Sequence, residues 1–154
     1  MRILFFCMGN ICRSPVVEAV ARARFAAAGL DVEVASAGTE DYHIGERADA
    51  RSIASARHSG YDLSGHRARQ LQAGDFDEFD WVLAMDRVNL RAARRTCPPL
   101  HAGKLGLFLE HAGHAASIEV PDPYYGGAAD FQRVIELAEA GADGLIARLR
   151  SNGA

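Results

Sequence analysis

Two short apolar runs constrain this chain more than anything else in it: RILFF at residues 2–6 and WVLAM at residues 81–85. Both have the length and bulk of buried strands, and each gives way to a stretch with helical spacing. Strands that are apolar on both faces belong to parallel sheets, because the crossover helices cover both sides. Gly9 and Asn10 break the first run, and SPVVEAVARARFAAAG follows it. In that segment Ser14 suits an N-cap, Pro15 the first helical position and Glu18 the N-terminal turn. Val17, Val20, Ala21, Phe25 and Ala28 recur on one face, and Gly29 closes the helix. DVEVASAG at 31–38 reads as a second strand, and residues 49–59 as a helix closed by Gly60. RVNLRAARR continues helically after residue 86 until the Pro98–Pro99 pair, and LGLFL at 105–109 reads as a weaker strand. Residues 130–150 form a closing helix on Phe131, Val134, Ile135, Ala138, Leu145, Ile146 and Leu149, although Gly141 and Gly144 weaken its propensity. The expected architecture is α/β, a single three-layer domain over residues 1–154. Its parallel sheet is flanked by helices on both faces, and ligands are expected beyond the carboxyl ends of the strands.

Charge and cysteine usage narrow the function classes. A net charge of −3 supplies no drive toward nucleic acid or an anionic membrane. The RAARR run at 91–95 reads as a solvated helix face. No apolar run approaches the ~20 residues of a membrane span, and the first one falls short of the ~7–15 of a signal peptide core. Three cysteines without framework spacing favour a reducing, cytoplasmic setting.

The chemistry concentrates in CMGNICRSP at residues 7–15, the turn between the first strand and the first helix. Such a turn points backbone N–H groups into one concavity, where the helix dipole also favours an oxyanion. The nucleotide-binding spacing GxxxxGK[ST] is absent. Instead Cys7 opens the loop and Arg13 closes it, with Met8, Gly9, Asn10, Ile11 and Cys12 between them. Converging donors favour a thiolate at Cys7, and the planar fork of Arg13 can hold two phosphoryl oxygens. The Ser14 hydroxyl can donate to the sulfur. A thiolate beneath a bound phosphate is placed for in-line attack that gives a phosphocysteine. The Cys7–Cys12 spacing lacks the paired pattern of a zinc site, and Cys97 stands alone, so neither metal nor cofactor is expected.

The loop closely resembles the signature of the low-molecular-weight protein-tyrosine phosphatase family. SAGT at 36–39, GYDLSGHRARQL at 60–71, AMDRVN at 84–89 and PDPYYGG at 121–127 extend the resemblance, in family order, over nearly the whole chain. The resemblance implies a four-stranded parallel sheet and metal-free hydrolysis of phosphomonoesters. It assigns Cys7 as nucleophile, Arg13 as phosphate clamp and Asp122 as general acid and then base. A phenolate leaving group needs a proton, which a carboxyl on a loop stiffened by Pro121 and Pro123 can deliver. Asn10, Ser36 and His66 match the family's supporting network. His43, His58, His101, His111 and His114 lack comparable context and read as surface residues. Asp86 matches a family position at a strand end, but neither it nor Cys97 receives a role.

Tyr124 and Tyr125 follow the Asp-Pro pair, and Tyr42 lies in the loop after SAGT. Aromatic side chains there would wall a slot for a planar phenyl ring. The family often has tryptophan where this chain has Tyr42. Ile11 resembles the tyrosine-directed members, whereas phosphoarginine phosphatases of this fold typically carry threonine there. The resemblance also implies a reversible Cys7–Cys12 disulfide that guards the nucleophile. The expected partners are phosphotyrosine-containing proteins, a bacterial tyrosine kinase among the candidates, with no nucleic acid or membrane. A thioredoxin-coupled arsenate reductase of the same fold is the rival, and it would need two further redox cysteines after the third strand, where only Cys97 is found.

Overall fold

The computed structural model describes residues 1–153. Four strands, β1 (Arg2–Cys7), β2 (Glu33–Gly38), β3 (Trp81–Ala84) and β4 (Leu105–Leu107), form one parallel sheet in the order β2-β1-β3-β4. The helices are α1 (Arg13–Ala27), α2 (Ala50–His58), α3 (Asp75–Glu78), α4 (Arg87–Arg94), α5 (Phe108–His111) and α6 (Ala128–Ser151). A 3-10 turn, Pro99–Lys104, precedes β4.

β1 is central, which explains its lack of polar alternation. Ile3, Phe5 and Cys7 enter a core built with α1, α5 and α6, whereas Leu4 and Phe6 enter a second core with Phe76, Phe79 and Ala93. Phe5 meets Phe108 edge-on at a centroid distance of 5.3 Å. Each buried side chain of this size contributes roughly 1.5–3 kcal/mol. The two cores fix the β1 register, since a one-residue slip would exchange their contents. The carboxyl ends of β1, β2 and β3 thereby come together at one edge of the sheet.

Several boundaries differ from the sequence expectation for identifiable reasons. α1 begins at Arg13 with Cys12 at the N-cap position and no side-chain cap, so Ser14 is not the cap. Its hydroxyl is turned toward Cys7 instead. At the other end Gly29 has φ +75°, and the Gly29 and Leu30 amides return to the carbonyls of Ala26 and Phe25 at 3.0 and 2.9 Å. That paired closure needs a left-handed residue, which glycine supplies. α4 ends at Arg94, ahead of the prolines. The run LGLFL is strand only to Leu107, and Phe108 and Leu109 start α5 while staying buried. Gly141 and Gly144 are packing notches: a Cβ on Gly141 would enter the Phe108 ring, and one on Gly144 would meet the Ala112 carbonyl. The lost helix propensity, roughly 1 kcal/mol per glycine, is what lets α6 lie directly against α5. Among the described residues no helix is long and apolar enough to cross a membrane.

Candidate active site

Between the end of β1 and the start of α1, five backbone carbonyls are tied to groups outside the loop. The Cys7 carbonyl accepts from the Thr39 amide at 2.9 Å, and that of Met8 from Glu40 at 3.0 Å. The Asn10 carbonyl accepts from His66 Nε2 at 2.7 Å, that of Ile11 from the Asp49 amide at 2.8 Å, and that of Cys12 from Ser52 Oγ at 3.3 Å. Among the described residues, no protein acceptor pairs with the N–H groups of residues 8–12. Donors all left on one side of a tight loop at a helix N-terminus make an anion cradle. Close packing fixes the shape, because a Cβ on Gly38 would lie 2.7 Å from the Met8 carbonyl oxygen.

Asn10 is buried at φ +58°, a left-handed conformation that asparagine tolerates better than most residues. Its Oδ1 accepts from the Arg69 amide at 3.0 Å, which fixes the orientation of the side-chain amide. Nδ2 therefore donates to Ser14 Oγ at 2.8 Å and to Ser36 Oγ at 3.0 Å. The Ser36 hydroxyl in turn donates a hydrogen bond to Glu18 Oε1. Ser14, already accepting from Asn10, has one hydroxyl hydrogen to share between Cys7 Sγ at 3.0 Å and the Ala37 carbonyl at 3.4 Å. The contact to the sulfur is the shorter, so a thiolate at Cys7, which can only accept, finds its donor in Ser14.

Arg13 is almost wholly buried, and its Nη1 donates to Asp86 Oδ2 at 2.6 Å and to the Val120 carbonyl at 2.9 Å. Burial works against the guanidinium charge, but the neighbouring Cys7 sulfur and Asp86 outweigh it and hold Arg13 above its ordinary range. Asp86 also caps α4, accepting from the Asn89 amide at 2.8 Å. A carboxylate at the end of β3 therefore aims the arginine that follows β1.

A cavity of about 280 Å³ opens above the loop. Cys7, Met8, Gly9, Ile11, Cys12 and Arg13 form its floor, Asp122, Tyr124 and Tyr125 one wall, and Tyr42 and His43 another. Tyr124 and Tyr125 meet edge-on at 5.0 Å, and Tyr125 is almost wholly exposed. Asp122 is exposed, and its Oδ1 accepts from the Tyr124 amide at 3.1 Å. Burial, then the charges around it, pushes the Cys12 thiol up to about 12.

The residues singled out in the sequence gather here, with Asn10, Ser14, Ser36 and His66 bracing the loop from behind and the others lining the cavity. Two residues to which sequence reasoning gave no role also belong here. His43 packs beside Gly9 and holds Glu46 at 2.8 Å, and Asp86 holds Arg13. Only the AMD ending of the strand signalled Asp86, and nothing local signalled His43. His111 is not the surface residue expected: its ring stands edge-on to Trp81 at 4.3 Å, and its buried Nε2 lacks a partner among the described residues. Cys97 packs with the second core, whereas Cys7 belongs to the first.

Comparison with known proteins agrees with this geometry. Residues 2–154 match the family model described as low molecular weight phosphotyrosine protein phosphatase. A low molecular weight protein-tyrosine-phosphatase of Streptomyces coelicolor is 46% identical, with 97% of this chain and 93% of that protein covered. The crystal structure of a protein tyrosine phosphatase from Entamoeba histolytica superposes with a TM-score of 0.94 at 36% identity, covering 100% of this chain and 99% of that one. A low molecular weight phosphotyrosine phosphatase from Vibrio cholerae gives a TM-score of 0.93 at 35% identity, again over 100% and 99% of the two chains. The chain belongs to the low molecular weight phosphotyrosine protein phosphatase family.

Proposed function

We propose that residues 1–154 act as one phosphatase domain that hydrolyses phosphotyrosine in proteins through a phosphocysteine, without a metal ion. One observation carries this reading: the loop turns its carbonyls outward and leaves the donors of residues 8–12 around the Cys7 sulfur, with Arg13 at its end. The similarity to relatives known as protein-tyrosine phosphatases supports the substrate class. Phosphate seated on those donors presents phosphorus to the thiolate. Sulfur attacks phosphorus, the bond to the phenolic oxygen breaks, and Asp122 gives that oxygen its proton. Asp122, now a carboxylate, then takes a proton from water. The water oxygen attacks phosphorus, the S–P bond breaks, and inorganic phosphate and the thiolate are released.

The rim supports an aromatic substrate, since Tyr42, Tyr124 and Tyr125 can flank a phenyl ring above the floor. Phosphotyrosine-containing proteins, a bacterial tyrosine kinase among them, are the partners this reading implies, in the cytoplasm. Steady-state assays on an aryl phosphate and a phosphotyrosine peptide test it. Turnover should vanish in Cys7→Ser, and Asp122→Asn should alter one limb of a bell-shaped pH profile. Turnover that survives in Cys7→Ser overturns the reading. A phosphoarginine substrate, run in parallel, should be the poorer one.

A further inference from the structure

We infer that Arg51 is a positioning residue that clamps the Asp122-bearing loop to the phosphate-binding loop. The inference rests on the reading of Asp122 as the proton donor. Arg51 lies in the first turn of α2, two residues after the N-cap Asp49. The Asp49 amide donates to the Ile11 carbonyl at 2.8 Å, which ties this turn to the anion cradle. The Asp49 carboxylate accepts from Arg51 Nε at 3.1 Å and from Nη2 at 3.0 Å. Arg51 Nη1 then donates to the Tyr124 carbonyl at 2.9 Å. The guanidinium also faces two rings, with its carbon 5.3 Å from the Tyr124 centroid and 4.6 Å from that of Phe131.

Nothing else among the described residues performs this task. Every other hydrogen bond of residues 121–127 among the described residues stays within the loop or reaches the first turn of α6. Tyr124 N–H returns to Asp122 Oδ1 at 3.1 Å, Gly126 N–H to the Pro123 carbonyl at 2.8 Å, and Gly127 N–H to Asp130 Oδ2 at 2.8 Å. Among the described residues, Arg51 supplies the one hydrogen bond that reaches this loop from α2, the element tied to the cradle. Its target is two residues from Asp122, so the clamp sets how high the carboxyl stands above the phosphate. The job suits arginine: three N–H groups point in fixed directions and the planar faces stack, which an ammonium cannot reproduce. The side chain is 47% exposed, and exposed ion pairs add little to stability, so variants should fold.

The test is kcat/KM for a series of aryl phosphates whose leaving phenols run from strongly to weakly acidic. Proton donation matters most for the weakly acidic phenols. Arg51→Ala should lose about tenfold or more on those and stay within about twofold on the strongly acidic ones. Arg51→Lys should behave like Arg51→Ala. In an Asp122→Asn background Arg51→Ala should add no further loss, because the group it positions has gone. Inhibition by inorganic phosphate should stay within about twofold of wild type, since the cradle keeps its other tethers. A loss uniform across the series, full activity in Arg51→Lys, or losses that multiply with Asp122→Asn each overturn the inference. If Asp122→Asn itself shows no dependence on the leaving phenol, the acid assignment falls, and the positioning role falls with it.

Discussion

Arg13 and Asp86, far apart in sequence, meet at 2.6 Å in a pair whose cation is almost wholly buried. The carboxylate fixes one nitrogen of the guanidinium, and the Val120 carbonyl accepts from the same nitrogen. The opposite side of the fork is left to grip an anion.

Asp86→Asn should therefore damage binding more than folding. It keeps an acceptor for Arg13 but removes the charge, so phosphate inhibition should weaken and KM should rise about tenfold or more. Asp86→Ala, which also strips the α4 cap, should cost about 3 kcal/mol of stability by urea denaturation.

Ser14→Ala removes the one side-chain donor to the Cys7 sulfur among the described residues. A hydrogen bond to a charged group contributes about 1.5–3 kcal/mol, so kcat should fall about 10- to 100-fold. Phosphate inhibition should hardly move, because the backbone donors that hold the anion are untouched. A KM effect without a kcat effect would refute this assignment.

Peroxide should inactivate the enzyme through Cys7. Oxidation of the thiolate gives a sulfenic acid, and Cys12 can displace water from it to close a disulfide that a dithiol reopens. Because burial first, then the surrounding charges, pushes the Cys12 thiol up to about 12, iodoacetamide near neutral pH should label Cys7 and spare Cys12, as read by mass spectrometry. In Cys12→Ser, recovery with reductant should be poorer, and equal recovery would remove the protective role.

His111 predicts an acid sensitivity outside the site. Burial against Trp81, helped by Arg148, lowers its pKa to about 4 from the ordinary 6.5. The unfolded chain therefore binds more protons between those values. Stability contributed by the neutral ring is complete above about 6.5 and is lost as pH falls toward about 4. Discounted for the part of the ring open to solvent, the loss is about 1–2 kcal/mol. His111→Phe, which keeps an aromatic ring against Trp81, should flatten the melting temperature between pH 7 and pH 4.5.

Gly144→Ala sets two effects against each other. Alanine favours the helix by roughly 1 kcal/mol, but its Cβ would collide with the Ala112 carbonyl, and overpacking of this kind costs about 1–3 kcal/mol. Backbone cannot swing aside as a side-chain tip can, so the collision should win. Chemical denaturation should show a net loss of about 1–2 kcal/mol.

How much of this was legible in the sequence depended on whether the cause was local. The β1 run and the α6 period could be read because burial writes directly into residue order. LGLFL could not, since a short apolar run is the same string whether it continues as strand or turns into buried helix, and Phe108 took the second course. Ser14 looked like a cap from its place before a helix, yet the sulfur across the loop claims its hydroxyl. Cys7, Arg13 and Asp122 stood out because each sits in a recognisable string. Asp86 stands in such a string too, but its partner Arg13 is distant in sequence, as Gly9 is from His43 and Tyr124 from Arg51, and no string records such a meeting.

The outward tethering of the Cys7, Met8, Asn10, Ile11 and Cys12 carbonyls has a consequence for selectivity. A receptor already locked in its bound shape loses little entropy on capture, and it cannot choose between guests by reshaping around one of them. The floor will accept any tetrahedral dianion of suitable size, so sulfate or arsenate in a buffer should compete with substrate. Discrimination between one phosphoprotein and another is then decided above the floor, among the exposed rings of Tyr42, Tyr124 and Tyr125.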